Sequence, residues 1–153
     1  MASIGNLRKR FSQHVWITPF AEVAEFPTYV DESGRRVQVS EEWREVGFKV
    51  LYPTLKVMNE LRNNSVKVVV ERGSKRSHRE FDPERLADFL ANRIILDWDN
   101  VTDEAGQKVT YDGGFMKEQF MASQFLLNEF VSCYHKVGES LAEEERREAE
   151  DFL

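Results

Sequence analysis

The stretch from Phe81 to Tyr111 constrains the fold more than any other part of the chain. It opens on Asp82-Pro83-Glu84. An aspartate there accepts hydrogen bonds from the free N–H groups of a first helical turn, and proline fits the first helical position, where no N–H is needed. Glu84 suits the positive end of the helix dipole. Leu86, Phe89, Leu90, Ile94 and Trp98 then recur at three- and four-residue steps, which predicts one buried face of a helix near 82–96. After Asp97-Trp98-Asp99 the pattern changes. Asp103-Glu104-Ala105-Gly106 predicts a tight turn with Gly106 at positive φ. Val101 before it and Val109 and Tyr111 after it fit two short strands of a hairpin.

The front half reads as a small antiparallel sheet. Residues 1–12 are small, polar and basic, and are expected to form a flexible arm. His14 to Phe20 alternates Val15 and Ile17 with His14, Trp16 and Thr18, the pattern of a strand with one buried face. Phe26 to Val30 fits a second extended piece, Asp31-Glu32-Ser33-Gly34 a turn, and Arg36 to Ser40 a third strand. Ser40-Glu41-Glu42-Trp43 starts a short helical turn, followed by a strand over Val46 to Tyr52. Pro53 can begin a helix near 53–63, with Leu55, Val57, Met58 and Leu61 on one apolar arc. Val66 to Val70 is β-branched and predicts another strand. Residues 71–80 hold the basic cluster of the chain and are expected to form a mobile polar loop. A nucleic-acid surface would interleave those cations with aromatics, and none appears until Phe81.

A second long helix is expected over 115–137. Phe115, Met116, Phe120, Leu126, Leu127, Phe130, Tyr134 and Val137 fall on its core arc. Met121 and Phe125 fall outside that arc, four residues apart among polar neighbours, and are candidates for contact with a partner. Gly138 is expected to break or bend the helix. Residues 139–153 then form a projecting acidic helix whose thin apolar seam includes Leu141 and Phe152, two further partner-binding candidates. The expectation is a helix-rich α+β fold over a single domain, 1–153, its small sheet packed on three helices.

The central stretch resembles the tail assembly chaperones of long-tailed bacteriophages. The resemblance is carried by Phe81, Asp82, Glu84, Leu86 and Leu90, by Ile94-Ile95-Leu96-Asp97-Trp98, and by Val101, Asp103, Glu104, Gly106, Val109 and Tyr111. It covers the central third of the chain and continues loosely into the Phe-rich helix and acidic end. The sequence departs from the family at Asp112-Gly113-Gly114, where such proteins often place Ser/Thr-Pro-Glu. The resemblance implies binding to the tape measure protein, which the chaperone keeps soluble during tail assembly. It further implies action in the host cytoplasm, absence from the finished virion, and a longer form made by frameshifting. The tail tube protein and a second copy of the chain are further candidate partners. The alternative is a structural tail subunit, tube or connector, retained in the virion.

Composition narrows the other classes. A net charge of −6 argues mildly against nucleic acid as the main partner. The one cysteine, Cys133, forms no internal disulfide, which suits a reducing compartment. No apolar run reaches membrane-spanning length, so no membrane role is expected. Asp97, Asp99, Asp103 and Glu104 do not make a calcium loop, because Thr102 stands where the sharp turn needs glycine and Lys108 where the closing glutamate belongs. Cys133 and His135 are two apart on a helix and point apart. His14, His78 and His135 give no zinc spacing. No enzyme activity, metal or cofactor is expected.

Overall fold

The computed structural model describes residues 14–73 and 75–151. The expected arm at 1–12 and the candidate Phe152 lie outside the described residues. The short alternating segments at the front fold as strands β1 (His14–Ile17), β2 (Thr28–Val30), β3 (Arg36–Gln38) and β4 (Gly47–Leu51), with a 3-10 helix at Glu41–Glu45 before β4. β2 and β3 make a hairpin whose turn is held by Asp31 Oδ1, which accepts from the Ser33 and Arg35 N–H groups at 3.0 and 2.9 Å. Helix α1 (Leu55–Asn63) starts as expected behind Pro53, with Thr54 Oγ1 accepting from the Val57 N–H at 3.2 Å.

The segment predicted as a mobile loop is corrected. Ser77–Phe81 is a strand, β6, paired antiparallel with β5 (Val66–Val70), and the connection is only 71–76. Every residue of β6 is exposed, so no alternation of apolar and polar residues marks it in the sequence. Asp82 caps helix α2 (Pro83–Phe89) at the predicted place, its Oδ1 accepting from the Glu84 N–H at 3.1 Å.

The helix predicted to reach 96 is also corrected. After α2 a wide π-helical turn covers Leu90–Ile94, and the chain becomes strand β7 at Ile95–Asp99. Trp98 therefore sits on a strand. β7 completes a three-stranded antiparallel sheet in the order β1-β4-β7. Its register against β4 passes from Lys49↔Asp97 to Val50↔Ile95, so Leu96 is the extra residue of a bulge. In a regular strand, residues three apart face opposite sides. The bulge lets both Ile95 and Trp98 enter the core, 3% and 1% exposed, and so mimics a helical spacing. The hairpin after β7 forms, reduced to one bridge between Thr102 and Lys108, with Gly106 at φ +79°.

The second long helix is two helices, α3 (Gly113–Ala122) and α4 (Gln124–Asp151). The break falls at buried Ser123, which has extended backbone angles and whose Oγ accepts from the Leu126 N–H at 3.3 Å. The expected break at Gly138 does not occur, and α4 runs through it. The core forms one cluster in which Phe48, Phe120 and Phe130 meet edge to face. The Tyr134 hydroxyl donates to the Leu51 carbonyl at 2.8 Å and locks α4 to the sheet. The helix-rich α+β class holds, with a last long helix at the C-terminal side.

Candidate interaction surface

Three open grooves lie around α4 and its neighbours. The first runs between α1 and α4. α4 packs on Pro53 at Gly138, where a Cβ built on the glycine would stand 3.5 Å from the proline Cβ, an ordinary contact. The Tyr52 hydroxyl donates to Glu145 Oε1 at 3.3 Å two turns further on. Pro53, Leu55, Met58 and Leu141 give this groove an apolar lining around a volume of about 380 Å³. Leu55 is 79% exposed, the most exposed large apolar side chain among the described residues. It was expected on the buried arc of α1, but its place in the first turn leaves it beyond the core.

The second groove, about 860 Å³, lies between the β2–β3 hairpin and α3. Val30 and Met121 expose apolar surface in it, and Asp31, Glu32 and Glu118 rim it. The Asp31 carboxyl is held below the usual carboxylate range, chiefly by the hydrogen bond from the Ser33 hydroxyl. The third groove, about 680 Å³, lies between residues 18–25 and α4 and reaches Cys133. Burial pushes the Cys133 thiol up, so it stays protonated and a poor nucleophile at neutral pH.

The three partner-binding candidates among the described residues therefore separate. Met121 is 47% exposed at the second groove. Phe125 is half-buried and packs edge-on against Phe26, ring centroids 6.0 Å apart. The break at Ser123 stands between them, so they do not stack as an i, i+4 pair on one helix. Leu141 is half-buried in the α1/α4 groove. Sequence reasoning missed Leu55 and the exposed row Val68, Val70 and Phe81 on the β5–β6 ribbon. The β-branched run at 66–70 was a signal for a strand but not for what covers it.

The acids of the central turn serve the turn itself. Asp103 Oδ1 accepts from the Ala105 and Gln107 N–H groups, both at 2.9 Å, and Asp99 Oδ1 accepts from the Asn100 N–H at 2.8 Å. No helix among the described residues is long and apolar enough to cross a membrane.

A family model described as YdaY prophage protein matches residues 52–153. The chain belongs to the YdaY prophage protein family. It is thus a prophage-derived protein. The matched part includes both walls of the α1/α4 groove, from Tyr52 to Glu145, and all of the resemblance stretch Phe81–Tyr111. It begins just after β4, so β1 to β4 lie outside it. No curated protein and no solved structure matches the chain.

Proposed function

We propose that this prophage protein is a tail assembly chaperone that binds the tape measure protein in the host cytoplasm and keeps it soluble until the tail is built. The observation that carries the reading is the open apolar groove between α1 and α4, with Leu55 at its edge and Leu141 on its wall. A long helical partner exposes apolar stripes that aggregate when bare. A groove of this kind accepts one turn or two of such a stripe, as other helix-in-groove sites do. Glu139 and Glu145 flank it, and the net charge of −6 keeps a chaperone–client complex dispersed. The prophage family supplies the setting, and the resemblance over Phe81–Tyr111 lies inside the matched region.

The test is capture of the prophage's own tape measure protein by Leu55→Asp and Leu141→Asp variants. Leu55 is exposed, so its variant keeps the fold, checked by circular dichroism, and loses capture. A folded Leu55→Asp variant that captures the tape measure protein as well as the parent does would refute this surface.

A further inference from the structure

Two unpartnered faces of this chain complement one another. The first is the β5–β6 ribbon. The register sets Val66 opposite Phe81, Val68 opposite Arg79 and Val70 opposite Ser77, so these six residues share one face. On it Val68, Val70 and Phe81 are 64%, 66% and 58% exposed. A two-stranded ribbon is marginal in water by itself, and an uncovered valine face invites association. Residues 66–81 carry five basic side chains and two acidic ones, in a chain whose overall charge is −6. No ion pair among the described residues engages Lys67, Arg72, Lys75 or Arg79.

The second face is the groove between the β2–β3 hairpin and α3. It has the opposite charge and the same mixed character: Val30 and Met121 offer exposed apolar surface, and Asp31, Glu32 and Glu118 stand around them. No ion pair among the described residues engages any of these three acids. Nor does a hydrogen bond or ion pair among the described residues join ribbon to groove within one chain.

We propose that the basic ribbon of one copy seats in the acid-rimmed Met121 groove of a second copy, so that the protein associates head to tail. The valine face covers Val30 and Met121, and the ribbon's cations meet the rim carboxylates. The contact is heterologous: each copy keeps one free ribbon or one free groove, so the chain grows or closes into a ring. Nucleic acid is the poorer occupant of the ribbon, because phosphates would pair the cations and leave the valine face in water. The inference stands apart from the chaperone reading, since it concerns the protein alone.

The experiment is analytical ultracentrifugation of the purified protein over a range of concentrations, at low and at high salt. The parent should self-associate, and salt should weaken it. A ribbon variant (Arg72→Glu with Lys75→Glu) and a groove variant (Glu32→Lys with Glu118→Lys) should each associate about tenfold more weakly or worse, through like-charge contacts. All four sites are exposed, and circular dichroism checks each fold. Mixed in equal amounts, the two variants should associate again, because each face then meets its opposite. A monomeric parent at every concentration overturns the proposal. So does parent-like association of either variant, or a mixture that stays monomeric. A ribbon variant that self-associates normally yet loses capture of the tape measure protein would assign the ribbon to that client and also overturn the proposal. Failure here leaves the α1/α4 groove and its client untouched, and the Leu55→Asp capture assay reads that separately.

Discussion

The indole Nε1 of Trp98 donates to the carbonyl of Val109 at 2.8 Å, joining strand β7 to the far arm of the following hairpin. The same ring is 1% exposed and meets Tyr111 edge-on at 5.1 Å. One side chain thus closes the core where helix, strand and hairpin converge. Trp98→Phe keeps a ring there but leaves a half-buried carbonyl without its donor, a loss of about 1–3 kcal/mol. Urea denaturation should show a lower midpoint with an unchanged slope.

Gly138 sits inside α4, where glycine is a poor helix former. An added Cβ would meet Pro53 at 3.5 Å, an ordinary contact. Gly138→Ala should therefore stabilise the protein by about 0.5–1 kcal/mol. The measurement is the Tm shift, and a fall in Tm would mean that the α1–α4 approach needs the bare glycine.

Asp112 begins α3, its Oδ1 accepting from the Phe115 N–H at 3.2 Å. Asp112→Ala removes this cap and should cost about 1 kcal/mol. Asp112→Asn keeps an acceptor and should recover most of it, as chemical denaturation of both variants would show.

Burial pushes the hydroxyls of Tyr111 and Tyr134 well above the ordinary tyrosine range. Both donate hydrogen bonds, Tyr111 to the Ala91 carbonyl and Tyr134 to the Leu51 carbonyl. The unfolded chain gives up these protons first, so it binds fewer protons than the folded one above pH ~10. Stability from these groups is full below that pH and is lost as pH rises through the folded values. The denaturation midpoint should hold near neutrality and fall on the alkaline side. Tyr134→Phe should blunt that alkaline fall while lowering stability at neutral pH.

Local chemistry was legible in the sequence, and long-range pairing was not. Asp82-Pro83 announced α2, and Asp103 to Gly106 announced the turn, because caps and turns are set by neighbours a few residues away. The short strands at 14–17 and 36–38 showed through their alternation, and that at 28–30 as an extended piece before a turn. β6 did not, since both of its faces meet water. The strand at Ile95–Asp99 looked helical because the extra residue Leu96 turns a period of two into a step of three. Ser123 lies within an unbroken apolar arc, so nothing local predicted the break, whereas the helix runs through Gly138 with Pro53 packed beside it. For the candidate surface, apolar type was readable but cover was not. Leu55 had the same standing in sequence as Leu61 on its arc, and Phe125, read as lying outside the core arc, is half-buried against Phe26. Only the packing of α4 on the hairpins and α1 decides which of them a partner can reach.

The most direct test of the account is co-expression of this protein with the tape measure protein of the same prophage. The chaperone reading predicts that the tape measure protein is soluble only when this chain is present, and that the two elute together after affinity capture. A tape measure protein equally soluble without this chain, with no co-elution, would contradict the reading.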